Sequence, residues 1–353
     1  MYDIAIIGLG PAGATIARLL SKKYKVLALD RKIENRGKCC GGLLSPDAQK
    51  ILASFNLCLP KEVLVNPQIF SVRTIDLDNN LERYYQRFYL NMDRAKFDKW
   101  LISLIPTSVD IINKATCRKI TKIDEGYKIE YEKENKIYTQ EAKVVIGADG
   151  ANSIVRNTID KKHKIKRYVS IQEWYENEEQ SPVYTSIFDS KLTDSYSWTI
   201  SKDDYFIVGG AFPEDNCDQR FEKLKEELLK KGYKFSKEKL YRREGCFVYL
   251  TNTWHSTFTG KDNIYLIGES AGMISSSSLE GISYAMESAY ILAEVLNKKL
   301  LNSNKQYHRK TLKIRLKLKI KILKRPFMYN KILRKLVMKS GLQAITKIGT
   351  NIK

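Results

Sequence analysis

Gly8, Gly10 and Gly13 stand in the spacing G-x-G-x-x-G, with Leu9, Pro11 and Ala12 between them, and Asp30 follows Gly10 by 20 residues. These residue types do binding chemistry. One glycine makes a tight turn, one lets a pyrophosphate approach the backbone, and one lets a helix pack closely on a strand. The phosphates then rest on unpaired N–H groups at the positive helix end, and the Asp30 carboxylate accepts from a ribose hydroxyl. A different chemistry belongs to Cys40. Lys38, Arg36 and a glycine-rich backbone surround it, and neighbouring cations favour a thiolate. Cys39 reads as packing.

The elements that must hold these groups lie on either side. Tyr2-Asp3-Ile4-Ala5-Ile6-Ile7 is a short apolar run rich in β-branched residues, a buried strand. Ala14 to Leu20 has helical period, and Lys25 to Leu29 is a second strand ending at Asp30. Strand, glycine turn, helix, strand and acid make one βαβ unit with a dinucleotide site.

The chain has 353 residues, and its hydrophobic content of 43% excludes a disordered or fibrous protein. That length gives room for about two domains. No apolar run reaches bilayer-spanning length, and an opening strand in place of a signal peptide leads to the expectation of a cytoplasmic protein. Cys39, Cys40, Cys58, Cys117, Cys217 and Cys246 show no zinc spacing, and His163, His255 and His308 are scattered, so no metal site is expected. The net charge of +21 is unevenly spread. From Asn304 to Lys353 there are 16 Lys and Arg and no Asp or Glu, whereas the rest of the chain carries 45 basic against 40 acidic residues. Such a tail suits an anionic membrane surface, nucleic acid or an acidic protein.

Farther along, Ser45-Pro46-Asp47 caps a helix through Phe55, and Asp78-Asn79-Asn80 is a hairpin turn between β-rich runs. Phe97, Leu101 and Leu104 have helical spacing. Ala115 to Val145 is a strand meander turning at Asp124-Glu125-Gly126 and Glu134-Asn135. Aromatic strands occupy Tyr168 to Phe212, Phe221 to Lys231 is an amphipathic helix, and Asn263 to Gly268 is a buried strand. A Ser/Gly loop then leads to a helix from Leu279 to Lys299. In the tail, Leu312 to Ile322 alternates apolar and basic at every residue, a strand period, yet Leu312, Leu316, Ile320 and Leu323 make a helical stripe.

Val145-Ile146-Gly147-Ala148-Asp149-Gly150, continuing through Ser153 to Arg156, resembles the Asp-Gly fingerprint of flavoproteins with the p-hydroxybenzoate hydroxylase fold. Tyr265 to Gly272 is similar to their second FAD motif, with Gly268-Glu269 where the family has Gly-Asp. Within that fold the chain resembles the geranylgeranyl reductase family of FAD-dependent oxidoreductases. Cys40-Gly41-Gly42 matches its Cys-Gly segment, and Arg94, Phe97, Asp98 and Leu101 match its Arg-x-x-Phe-Asp-x-x-Leu helix. Tyr196-x-Trp198 followed by Val208-Gly209 resembles its aromatic substrate strand, and Leu279-Glu280-Gly281-Ile282 its flavin-facing helix start. The aromatic motif departs from the family, which continues Phe-Pro where this chain has Ile200-Ser201.

The resemblance implies an α/β fold with a Rossmann-like FAD-binding domain (1–58, 92–165 and 260–300), an inserted mixed or antiparallel β-sheet substrate domain (59–91 and 166–259) and a basic C-terminal helical segment (301–353). It favours helix over strand for the tail, where no turn residue precedes Pro326. It assigns FAD binding to Gly8, Gly10, Pro11, Ala12, Gly13, Asp30, Arg31, Cys40, Gly41, Arg94, Asp149, Gly150, Gly268, Glu269, Gly272, Gly281 and Ile282. Cys40, beside the isoalloxazine ring, and Tyr196 and Trp198, lining an isoprenoid cavity, become the catalytic candidates. Ser275 to Ser278 is expected to be a helix N-terminus that faces the flavin pyrimidine edge and stabilises the charge of the reduced ring.

The activity so implied is reduction of C=C bonds in an isoprenoid or other apolar chain. NAD(P)H or a reduced electron carrier is the donor, since no second dinucleotide fingerprint is present. A flavin-dependent monooxygenase or halogenase is the alternative. Against it, the second FAD motif lacks the His and the Pro-Pro pair of aromatic hydroxylases, and Tyr196 to Ser201 loses the first Trp and the Pro of Trp-x-Trp-x-Ile-Pro. Another class is a membrane-surface or nucleic-acid-binding flavoprotein that works through its tail. Expected partners are an apolar small-molecule or lipid substrate, an acidic electron carrier and an anionic membrane surface onto which the protein docks peripherally. Nucleic acid is the least favoured partner.

Overall fold

The computed structural model describes residues 1–32, 38–161, 164–177 and 181–345. The readings placed on Arg36, His163 and the chain end 346–353 lie outside the described residues.

The chain passes repeatedly between two sheets. β1 (Tyr2–Ile7), α1 (Pro11–Leu19) and β2 (Val26–Asp30) form the opening unit, with Ile4 opposite Val26 in parallel register. Every residue of β2 is buried, as an apolar strand covered on both faces of a parallel sheet must be. β3 (Leu43–Leu44), α2 (Pro46–Ser54), β4 (Ile69–Asp76) and β5 (Leu81–Asn91) follow, and Ser45 caps α2 by accepting from the Ala48 N–H at 3.2 Å. Asn80 takes φ +50° in the β4–β5 hairpin turn, a conformation that asparagine tolerates better than most residues. α3 (Arg94–Ser103), capped by Asp93, leads back to β6 (Val109–Asn113), β7 (Thr116–Ile123), β8 (Gly126–Lys133), β9 (Lys136–Gly147) and α4 (Ile154–Ile159).

The second excursion builds β10 (Lys166–Glu176), β11 (Val183–Phe188), β12 (Ser197–Lys202), β13 (Tyr205–Pro213), α5 (Cys217–Lys230) and β14 (Leu240–Leu250). β15 (Gly260–Lys261), β16 (Ile264–Leu266) and α6 (Ile282–Lys298) return to the first sheet. The chain closes with α7 (Asn304–Lys310), α8 (Leu312–Tyr329), α9 (Lys331–Ser340) and β17 (Ala344–Ile345).

The first sheet runs β15-β16-β9-β1-β2-β6, parallel from β16 to β6, with β8 and β7 continuing antiparallel beside β9. The second runs β14-β10-β13-β12-β11-β4-β5-β17 and is antiparallel except where β11 meets β4. It is the Rossmann-like α/β architecture with a second mixed sheet that the motifs imply. α1 and α6 cover one face of the first sheet through Ile16, Leu292 and Val295. The other face is closed partly by Ile314 and Leu318 of α8. α5 covers the outer face of the second sheet with Phe221, Leu224 and Leu228.

Two local expectations are corrected. α6 begins at Ile282, not Leu279, because Leu279 takes φ +51° and Gly281 is the N-cap. Ser275 to Ser278 is therefore a separate turn, closed by the Leu279 N–H donating to the Ser275 carbonyl at 2.9 Å. In α8 the buried residues are Ile314 and Leu318, and the stripe from Leu312 to Leu323 faces outward. An apolar residue at every second position puts apolar groups on both sides of a helix, and the core takes the narrower set.

Candidate active site

Three glycines shape the end of β1 by different means. Gly8 takes φ +95°, and a Cβ there would stand 2.7 Å from the Ala148 carbonyl oxygen at the end of the neighbouring β9. A Cβ at Gly13 would lie 1.8 Å from the Gly8 oxygen, so helix and turn touch directly. At Gly10 a Cβ would meet nothing within 4 Å, and Gly10, Pro11 and Ala12 line a large cavity. α1 starts there without a side-chain cap and with Pro11 in its first turn. The first N–H groups of a helix have no partner within it, and Ala12, which carries one of them, lines the cavity. This open, positively polarised cradle fits a pyrophosphate. Asp30, buried, accepts from the Leu9 N–H and from the Lys32 N–H at 2.8 Å while lining the same cavity. It clamps the glycine turn to the end of β2 as well as presenting a carboxylate.

The cavity has a volume of about 1950 Å³ and runs from this cradle to the second sheet. Arg31, Cys40, Gly41, Arg94, Asp149, Gly150, Tyr196, Trp198, Glu269, Gly281 and Ile282 also line it, together with Gly8. Gly13, Gly268 and Gly272 do not line it; they shape the backbone behind it. Gly268 (φ +59°) packs against Ala12 and Ala285, and at Gly272 (φ +72°) a Cβ would stand 2.2 Å from the Ser256 oxygen.

Charges around the Cys40 loop are arranged differently from the sequence expectation. Lys38 pairs with Glu269 at 2.5 Å, and Glu269 also accepts from the Tyr249 N–H at 3.0 Å. Burial works against the charge of Lys38, but Glu269 outweighs it and raises its pKa. Arg94 is a cation that meets Cys40. Burial likewise opposes the Arg94 charge, and Asp98, joined by Cys40, more than restores it. Arg94 grips Asp98 through Nε at 2.7 Å and a terminal nitrogen at 3.3 Å, so its fork is largely committed within α3. The Cys40 sulfur accepts from the Gly42 N–H at 3.4 Å. Burial pushes the Asp149 carboxyl up, against hydrogen bonds from Ser153 at 2.6 Å and the Val155 N–H at 3.3 Å that cap α4.

The wall opposite the cradle is aromatic. Trp198 is buried, and its ring fits because position 209 is glycine, where a Cβ would stand 2.5 Å from the indole. Its indole N–H has no hydrogen-bond partner among the described residues. Tyr184 is hydrogen-bonded to Tyr196, and burial raises the pKa of both phenols. The Tyr196 hydroxyl donates to the Ser278 carbonyl at 2.8 Å, and Tyr329 of α8 donates to the Ser277 carbonyl at 2.8 Å. The serine turn thus presents carbonyls to phenols, and the helix N-terminus at the cavity belongs to Gly281 and Ile282.

Lys202 escaped sequence reasoning altogether, and Glu280, within the helix-start motif, had no role of its own there. Lys202 is buried on β12 and donates to the Gly42 carbonyl at 3.2 Å, Asn91 Oδ1 at 2.6 Å and the Met92 carbonyl at 2.7 Å. Its signal was a lone lysine ending an otherwise uncharged strand. Glu280 lines the cavity, is pushed up by burial and accepts from the Ser283 N–H at 2.9 Å at the start of α6.

No family model matches the chain. Protein CbrA of Escherichia coli O9:H4 (strain HS) is 46% identical over 351 residues, covering 98% of this chain and 95% of the relative. Protein CbrA of Shigella flexneri serotype 5b (strain 8401) matches with the same identity and coverage. Among solved structures, a geranylgeranyl bacteriochlorophyll reductase-like protein from Thermoplasma acidophilum has a TM-score of 0.78 at 19% identity, covering 99% of this chain and 94% of that one. PqsL, a probable FAD-dependent monooxygenase from Pseudomonas aeruginosa, has 0.68 at 15% identity, covering 96% and 99%. A flavin-dependent brominase, Bmp2, has 0.67 at 16%, covering 96% and 94%. These structures share the fold. The identity to CbrA over nearly the whole length says more: the chain belongs to the CbrA protein family.

Proposed function

We propose that the protein is an FAD-dependent reductase of C=C bonds in an isoprenoid or other apolar chain, supplied with electrons by NAD(P)H or a reduced carrier. The observation that carries the reading is the single cavity that joins the Gly10 cradle and Asp30 to the aromatic wall of Tyr184, Tyr196 and Trp198. A dinucleotide and an apolar chain fit end to end in such a space. Solved proteins of this fold described as FAD-dependent or flavin-dependent support the choice of cofactor.

Bound and reduced, FAD would supply hydride. The chain's own residues do the rest. The Gly8-to-Gly13 turn and the α1 N-terminus hold the phosphates, and Asp30 and Glu269 offer carboxylates to the sugar side. Trp198, Tyr184 and Tyr196 exclude water from the apolar chain. Cys40 holds a proton at Sγ within reach of the cavity, and Arg94 stabilises the thiolate left when that proton is given to carbon. Monooxygenase or halogenase chemistry on the same fold is the competing reading. Product mass separates them: with reduced FAD and a prenyl chain, a gain of hydrogen supports the reductase, and a gain of oxygen or halogen overturns it.

A further inference from the structure

α8 has two apolar faces. Ile314 and Leu318 are buried, while Leu312, Leu316, Ile320, Leu323 and Phe327 are between 48% and 58% exposed. Intervals of three and four residues place those five on one continuous stripe. Ile332 and Leu336 extend the pattern on α9, at 62% and 61% exposed. By helical geometry Lys313, Lys317 and Lys324 border the α8 stripe on one side and Arg315 and Lys319 on the other.

Between residues 304 and 345 there are 14 basic residues and no acidic one. Lys310, Arg325 and Arg334 have carboxylate partners. Among the described residues, Lys313, Lys317, Lys324, Lys331, Lys335 and Lys339 pair with none. A protein core would not border an apolar stripe with unpaired ammoniums, and a phosphodiester backbone offers nothing to a row of Leu and Ile. A bilayer surface offers both: acyl chains for the stripe and anionic headgroups for the lysines that flank it. Among the described residues no helix is long and apolar enough to cross a membrane, so the helices would lie in the interface. Lys324 and Phe327 of α8 and Val337 of α9 also line the cavity.

We propose that α8 and α9 form an interfacial surface that seats the protein on an anionic lipid bilayer, with the side of the cavity that they bound turned toward the lipid. The inference rests on charge and exposure and does not depend on the reaction chemistry. The test is flotation of the full-length protein with vesicles of equimolar phosphatidylcholine and phosphatidylglycerol, with pure phosphatidylcholine vesicles, and binding to duplex DNA. Binding to the anionic vesicles is expected to exceed binding to neutral ones by roughly tenfold or more. It should weaken as salt shortens the screening length from about 10 Å to about 3 Å. Leu316→Glu/Ile320→Glu/Leu336→Glu alters only exposed positions; it should keep the wild-type circular dichroism and melting temperature and lose roughly tenfold or more in vesicle binding. Wild-type protein that stays unbound on anionic vesicles, a folded triple variant that floats equally well, or tighter binding to DNA than to vesicles would overturn the proposal. None of these outcomes touches the reductase reading.

Discussion

Lys202 on β12 donates from Nζ to the carbonyl oxygen of Gly42, 3.2 Å away and two residues past Cys40. The same nitrogen holds Asn91 Oδ1 and the Met92 carbonyl. One buried amine therefore ties the loop that carries Cys40 to the end of β5. Gly42 takes φ +62°, and a Cβ there would stand 2.6 Å from Nζ, so the loop can close on Lys202 only with glycine at this position.

Burial lowers the Lys202 amine from 10.5 to about 7, with Cys40, Asp93 and Asp203 opposing it. Between those values the unfolded chain holds a proton that the folded chain has released. Stability from this group thus rises with pH across that window, by roughly 1.4 kcal/mol per pH unit at most, and is flat below about pH 7. The difference in urea unfolding free energy, wild type minus Lys202→Met, should increase from about pH 7 to about pH 9. A difference independent of pH would show that the amine titrates normally.

Gly10→Val and Gly13→Val should part company. Gly10 has open space at its Cβ position, whereas at Gly13 the Gly8 oxygen occupies it. Gly10→Val is expected to fold with a near-normal melting temperature and to lose FAD, by filling the phosphate cradle. Gly13→Val should lower the melting temperature itself. FAD retained by a folded Gly10→Val protein, measured by absorbance after gel filtration, would contradict the cradle.

Cys40→Ala is expected to keep FAD and lower turnover about a hundredfold, the usual scale for a lost proton donor. Its Sγ accepts from the Gly42 N–H and meets the Arg94 side chain, and truncation to alanine should leave the fold in place. Unchanged turnover and flavin potential would reduce Cys40 to packing.

Arg334 of α9 donates to Asp76 at 2.8 Å and to Asp78 at 2.6 Å, both buried. Beside it, β17 adds to the edge of β5. Arg334→Ala leaves two carboxylates without their cation and should cost about 3 kcal/mol. It should also release α9 to protease before the rest of the chain unfolds. Limited proteolysis followed by mass spectrometry reads this directly, and a wild-type digestion pattern would show that the latch is dispensable.

What was legible in the sequence was local. The β1–α1–β2 unit could be read because apolar run, glycine spacing and acid lie within 30 residues. The Asp78-Asn79-Asn80 turn followed from turn chemistry, and the helical tail from the family resemblance, since its period pointed both ways. What was hidden depends on distant chain. Lys202 is buried because β12 lies between β11 and β13, and its acceptors are 110 residues or more away. Arg334 meets Asp76 across 258 residues. Lys38 is drawn away from Cys40 because Glu269, 231 residues on, claims it in three dimensions. The serine run was misread as a helix start because a leucine in left-handed conformation, as at Leu279, leaves no mark in sequence.

If FAD bound and reduced in this cavity supplies hydride to an apolar C=C bond, the transfer needs no oxygen. Its most direct test is an anaerobic single turnover. The protein, loaded with FAD and photoreduced without oxygen, is mixed with a prenyl chain in detergent while flavin absorbance is followed. The oxidised spectrum should return without oxygen, and the prenyl chain should gain two hydrogens. Flavin that stays reduced until oxygen is admitted, with the prenyl chain unchanged until then, would contradict it.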